Sequence, residues 1–119
     1  MSNAKILICD DEESIRESLK AIIGDYYPLI ICESPETTLY TLAQDKSIHL
    51  ALIDIKMPKI NGLDLLATIK KEHPKVKVIV VTGYKSVEIA AEATRLGANG
   101  YIVKPFKGEE ILEKIKKII

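Results

Sequence analysis

No apolar run in this sequence approaches the ~20 residues a helix needs to cross a bilayer, and the N-terminus lacks the basic segment and apolar stretch of a secretory signal. Both absences lead us to expect a cytoplasmic protein without membrane attachment. Cysteine is scarce: Cys9 and Cys32 sit singly inside apolar runs with no CxxC spacing, which reads as two small reduced core residues. There is no excess of charge, with 17 Lys and Arg against 17 Asp and Glu, and no concentrated basic face of the kind that binds nucleic acid. Pro and Gly are few, at five and six, and with no repeat or low-complexity stretch no segment reads as disordered.

What is present suits one ordinary domain. The 119 residues are 47% hydrophobic and 29% charged, and a chain of this size buries roughly two-thirds of the surface its unfolded form exposes. We expect a single core and one domain over residues 1–119. The charge is unevenly spread: residues 1–60 carry six Lys and Arg against ten Asp and Glu, and residues 61–119 carry eleven against seven. That asymmetry argues, weakly, for a local acidic centre.

Short β-branched runs alternate five times with longer segments of helical period. The runs near residues 5–9, 29–32, 49–53, 77–81 and 100–103 are almost wholly apolar, the pattern of strands buried on both faces of a parallel sheet. The first helix places Ile15, Leu19, Ile22 and Ile23 on one stripe, and the last does so with Ile111, Leu112, Ile115, Ile118 and Ile119. Ser34-Pro35 reads as an N-cap with proline at the first helical position, Ser86 as another N-cap, and Gly24 and Gly97 as helix stops. Pro74 closes a third helix begun near Gly62. Strands joined by helical crossovers run parallel, and right-handed crossovers put helices on both faces. The expected fold is α/β, a (βα)5 doubly wound five-stranded parallel sheet of flavodoxin-like order 2-1-3-4-5, with its switch point between the first and third strands.

Four of these runs end in groups suited to holding a phosphoryl group and a divalent cation: Asp10-Asp11 after KILIC, Asp54 after LALI, Thr82 after VKVIVV and Lys104 after GYIV. In open α/β sheets the crevice lies beyond the carboxyl ends of the strands, so the four endings define one candidate site. Three carboxylates crowded there cannot all stay ionised unpaired. A hard ion such as Mg²⁺ resolves the conflict, because it prefers oxygen ligands, keeps several waters and commonly takes a phosphate oxygen. Given that ion, Asp54 can act as a nucleophile and form an acyl phosphate. Lys104 can pair with a carboxylate before reaction and with a phosphoryl oxygen afterwards, while Thr82 donates its hydroxyl. Each group taken singly has a plainer reading: the acidic pair as a helix N-cap, Thr82 as a turn residue, Lys104 as a solvated loop lysine, Met57-Pro58 as a helix-start turn. Coincidence must place all four at matching strand ends.

With these residues in place the sequence resembles the receiver domain of two-component response regulators, from about Lys5 to the C-terminus. The motifs that carry the resemblance are Cys9-Asp10-Asp11-Glu12, then Asp54-Ile55-Lys56-Met57-Pro58 continuing through Asn61-Gly62-Leu63, then Thr82-Gly83, and Lys104-Pro105-Phe106. The resemblance implies that Asp54 accepts a phosphoryl group from a phosphohistidine on a sensor histidine kinase or histidine phosphotransfer domain. It implies Mg²⁺ held directly by Asp11 and Asp54, mainly through water by Asp10, and by the backbone carbonyl of Lys56, with Thr82 and Lys104 on the phosphoryl oxygens. It also implies a cis bond between Lys104 and Pro105.

Tyr101 matches the family's switch aromatic, whose ring turns inward when the Thr82 hydroxyl moves to the phosphate; a plain buried tyrosine is the other reading. On the family's scheme, phosphorylation biases a pre-existing equilibrium of the face made by the fourth helix, fifth strand and fifth helix. Swinging it fully takes roughly 5 kcal/mol of differential interaction. That face would meet a second copy of the chain or a downstream effector. Such a protein is no ordinary enzyme, catalysing only its own phosphorylation from a phosphodonor and a slow autodephosphorylation. Lys56 and Tyr84, each two residues past a site residue, are candidates for setting the lifetime of the acyl phosphate, Tyr84 by hindering the attacking water.

Rival readings fare less well. A Mg²⁺-dependent phosphohydrolase of the haloacid dehalogenase type wants a second acid two residues after the nucleophile, where this sequence has Lys56, and a cap domain for which there is no room. A constitutive, unphosphorylated interaction module is the main alternative, and the complete set of Asp10, Asp11, Asp54, Thr82 and Lys104 speaks against it. A flavodoxin-like cofactor carrier wants a phosphate-binding loop after the first strand, where the acidic pair would repel phosphate. His49 and His73 read as strand-border and surface residues. Cys9 stands where the family more often has an aliphatic residue, and Ala90, Ala91 and Ala93 offer small side chains for core packing or for a partner. The length leaves no room for an effector domain within this sequence, which suits a stand-alone receiver or a portion of a longer protein.

Overall fold

Strands and helices alternate along the computed structural model of the protein, which describes residues 4–57 and 60–119. In order, β1 (Lys5–Cys9) leads to α1 (Glu13–Ile23), β2 (Leu29–Cys32) to α2 (Pro35–Gln44), and β3 (Ile48–Ile53) to two short strands, β4 (Lys56–Met57) and β5 (Ile60–Asn61). Then follow α3 (Gly62–Glu72), β6 (Lys77–Thr82), α4 (Val87–Arg95), β7 (Gly100–Val103) and α5 (Gly108–Ile118). The long strands form one parallel sheet in the order β2-β1-β3-β6-β7. Counting the long strands alone, this is the doubly wound order expected from the sequence.

The nearly all-apolar strands bury both faces, and alternate residues feed two separate cores. On one side Leu7, Ala51, Ile53, Val78 and Val80 pack with Leu42 of α2 and Leu65, Leu66 and Ile69 of α3. On the other, Ile6, Ile8, Leu50, Leu52, Ile79 and Val81 meet Leu19 and Ile23 of α1 and Ile111 and Ile115 of α5. Ile15, Ile22 and Ile118 pack partly against that second core, as their stripes require. Ile119 does not join its stripe: it lies beyond the last turn of α5 and is 41% exposed. In α4 only Ala93 is buried, so that small side chain serves packing while Ala91 faces solvent.

Local signals set the helix ends. The Ser34 hydroxyl accepts from the Thr37 N–H at 3.2 Å and Thr37 returns a bond to Ser34, a reciprocal cap with Pro35 at the first helical position. Ser86 caps α4 through the Ile89 N–H. Gly97, at φ 109°, follows the α4 cap in the left-handed region that glycine tolerates. Pro74 follows the α3 cap, His73. Gly62 has a different reason: a Cβ there would lie 2.2 Å from the Ile55 Cα, so the start of α3 seats against the chain just past Asp54.

The hairpin of β4 and β5 was not anticipated. Lys56 pairs with Asn61 and Met57 with Ile60 in antiparallel register, so Met57 enters a strand rather than a helix-start turn; Pro58 lies outside the described residues. Asn61 then caps α3 by accepting from the Leu63 N–H at 3.0 Å. No helix among the described residues is long and apolar enough to cross a membrane.

Candidate functional site

The sheet ladder continues one residue past its strands and thereby fixes the site. Asp54 N–H donates to the Cys9 carbonyl at 3.0 Å, Lys104 N–H to the Thr82 carbonyl at 2.8 Å, and Asp10 N–H to the Cys32 carbonyl at 3.3 Å. Parallel strands in register bring their carboxyl ends to one rim, which is why residues far apart in sequence converge here.

At the centre is one ammonium shared by carboxylates. Lys104 Nζ lies 2.8 Å from Asp10 Oδ2, 2.8 Å from Asp54 Oδ2 and 3.3 Å from Glu12 Oε1. The other oxygens of the two buried acids are held by backbone: Asp10 Oδ1 accepts from Glu12 N–H at 2.9 Å, and Asp54 Oδ1 from Lys56 N–H at 2.8 Å. Asp10 and Asp54 are 2% and 3% exposed. Burial pushes the Asp10 carboxyl above its ordinary range, more than Lys104 and the Glu12 N–H lower it. Burial also works against the Lys104 ammonium, but its bonds to Asp10 and Asp54 prevail and its pKa is raised to about 12. A single positive charge thus faces two buried carboxylates and leaves the pocket negative.

The donor set fits a hard divalent cation. Asp10, Asp11, Glu12 and Asp54 each offer one carboxylate oxygen, and these atoms lie within 4.8 Å of one another. Oxygen-only ligands with uncompensated charge are the chemistry Mg²⁺ takes. Asp11 is exposed at the mouth while Asp10 and Asp54 are buried. Glu12 is the member that sequence reasoning missed, although a third acid directly after the pair was visible. The acidic pair is not a helix cap: Glu12 occupies the N-cap of α1 and makes no side-chain capping bond.

Thr82 is fully buried and its hydroxyl accepts from the Tyr84 N–H at 3.4 Å. The Tyr101 hydroxyl donates to the Tyr84 carbonyl at 3.0 Å, and its ring packs against the same core as Tyr84. Burial, then the charge of Asp54, raises the Tyr101 pKa. Lys56 Nζ stands 5.3 Å from the Tyr84 ring centroid, close enough for cation–π attraction beside the site. The Lys104–Pro105 peptide is cis. His49 takes no part, its Nδ1 accepting from Lys5 N–H at 3.3 Å, and His73 lines a groove with Leu42, Ile48 and Val76 at the opposite ends of the strands. Cys9 and Cys32 are buried free thiols, and burial pushes that of Cys9 up to about 12.

Known proteins share this architecture. The family model described as the response regulator receiver domain matches residues 6–116. Response regulator protein FleR of Pseudomonas aeruginosa is 32% identical over 96% of this chain, and regulatory protein AtoC of Escherichia coli 34% identical over 90%. The chain spans about a quarter of the length of those curated relatives, at 24% and 23%. The crystal structure of a CheY-like response regulator receiver domain protein from Methanospirillum hungatei superposes with a TM-score of 0.90 at 38% identity, covering 98% of this chain and 93% of that one. NtrX from Brucella abortus matches with a TM-score of 0.91 at 30% identity over 98% of this chain and 27% of that one. Matched along nearly all its length in sequence and in fold, the chain belongs to the response regulator receiver domain family.

Proposed function

We propose that the protein is a phosphorylation-dependent switch of cytoplasmic two-component signalling, in which Asp54 takes a phosphoryl group from a phosphohistidine on a sensor kinase or phosphotransfer domain. One observation carries this reading: Asp54 and Asp10 are buried together on the Lys104 ammonium, one positive charge short of neutrality.

The chain's own groups divide the work. Lys56 N–H fixes one Asp54 oxygen and so orients the carboxylate, whose other oxygen attacks phosphorus. The P–O bond forms as the P–N bond breaks, and the imidazole nitrogen leaves with the electron pair. Lys104 then turns from Asp54 to a phosphoryl oxygen, and the buried Thr82 hydroxyl supplies a further hydrogen bond. Asp10, Asp11, Asp54 and the Lys56 carbonyl would hold Mg²⁺, which when bound neutralises charge on the transferring group. Once Thr82 is drawn to the phosphoryl group, the 82–84 loop shifts. The Tyr101 hydroxyl, tied to the Tyr84 carbonyl, carries that shift to the face of α4, β7 and α5, where a second copy or an effector binds.

Whole-protein mass after incubation with Mg²⁺ and acetyl phosphate tests the assignment. The parent gains one phosphoryl group and Asp54→Asn gains none. Equal gain by both removes Asp54 from its role.

A further inference from the structure

Glu12 lies in the site without a task in the scheme above. Its backbone N–H holds Asp10 and its carboxylate reaches Lys104, while as the N-cap of α1 it makes no side-chain bond to the helix. Its side chain is 59% exposed, whereas those of Asp10 and Asp54 are 3% exposed and pinned by backbone N–H groups. Among the three carboxylates on the Lys104 ammonium, Glu12 alone is free to move.

That freedom matters because two cations want the same oxygens. Lys104 Nζ occupies Asp10 Oδ2 and Asp54 Oδ2, and the other oxygen of each acid is already hydrogen-bonded to backbone. A divalent cation entering among these carboxylates therefore weakens the hold of Asp10 and Asp54 on the ammonium. An unheld ammonium on a four-carbon stem swings out to water, where it is best hydrated.

We infer that Glu12 is a positioning residue for Lys104: it retains the ammonium at the pocket mouth when a divalent cation claims Asp10 and Asp54, so that the amine is in reach when the phosphoryl group arrives. The inference rests on the cation-dependent reading of the site given above. Being exposed, Glu12 tolerates substitution without disturbing either core.

The test is proton-detected, nitrogen-edited magnetic resonance of the Lys104 ammonium, whose protons are visible only while hydrogen bonds slow their exchange with water, in the full chain with Mg²⁺ alone as probe. In the parent the signal persists with and without Mg²⁺. In Glu12→Gln it is present without Mg²⁺, because Asp10 and Asp54 still hold the amine, and is lost on adding Mg²⁺; Glu12→Asp retains part of it. Phosphorylation from acetyl phosphate at saturating Mg²⁺ falls roughly two- to fivefold in Glu12→Gln, the effect of one partly exposed ion pair. Persistence of the Glu12→Gln signal in Mg²⁺, or its loss in the parent, overturns the inference while leaving the role of Asp54 intact. Absence of any Mg²⁺-induced shift at Asp10 and Asp54 in the parent overturns both.

Discussion

Replacing Lys104 by Met keeps the side-chain bulk and removes the charge that two buried carboxylates share. Their oxygens lie within 4.8 Å of each other, and at an effective dielectric of about 20 two unit charges at that separation repel by roughly 3.5 kcal/mol. Protonating one of them at pH 7 instead costs about 4 kcal/mol relative to an ordinary carboxyl, so the penalty is bounded near the same figure. Loss of one partner from a buried ion pair has a similar magnitude. For a domain of this size that is about 14 °C in Tm at roughly 4 °C per kcal/mol.

The assay is thermal and urea unfolding followed by circular dichroism in EDTA. Three conditions should restore much of the lost stability. Mg²⁺ supplies the missing charge, Asp10→Asn combined with Lys104→Met removes the repulsion, and acidification lets the native state take up a proton that the unfolded chain does not. The last follows in sign, because a carboxyl raised in the native state gives stability that is lost as pH rises through its folded pKa. Equal stability of Lys104→Met and parent in EDTA, or a loss indifferent to Mg²⁺, refutes the shared-ammonium reasoning.

Asp10→Asn alone should stabilise the metal-free protein at neutral pH, since burial raises the Asp10 carboxyl, and should flatten its stability across acid pH in unfolding titrations. The same change should weaken Mg²⁺ binding measured by calorimetry. Gly62→Ala should cost more than about 3 kcal/mol in urea unfolding, because the new Cβ meets Ile55 backbone that cannot yield. Ser34→Ala, which removes the reciprocal cap of α2, should cost about 1 kcal/mol in the same assay. Tyr84→Ala removes the ring that stands beside Lys56 near the site, and the phosphorylated protein should lose its phosphoryl group faster in Mg²⁺; an unchanged rate would dismiss shielding by that ring.

The sheet was legible because period and punctuation agreed: apolar runs too continuous for half-buried strands, stripes at helical spacing, and caps such as Ser34 and Ser86 where side-chain oxygens meet free N–H groups. The site followed from the same reading, since strand ends in a parallel sheet share a rim. Three things escaped it. The pairing of Lys56 and Met57 with Asn61 and Ile60 involves two residues a side, too short for alternation to register. The place of Glu12 depends on the ammonium of Lys104 arriving from β7, a contact 92 positions away that no local pattern encodes. Ile119 was misassigned to the α5 stripe because periodicity extends past a helix end that only the backbone reveals.

Reductive trapping tests the central claim most directly. Borohydride converts an aspartyl phosphate to homoserine, so protein treated with Mg²⁺ and acetyl phosphate, then reduced and digested, should yield homoserine at position 54 in a magnesium-dependent manner. Homoserine at position 10 or 11 with residue 54 unchanged would contradict the account.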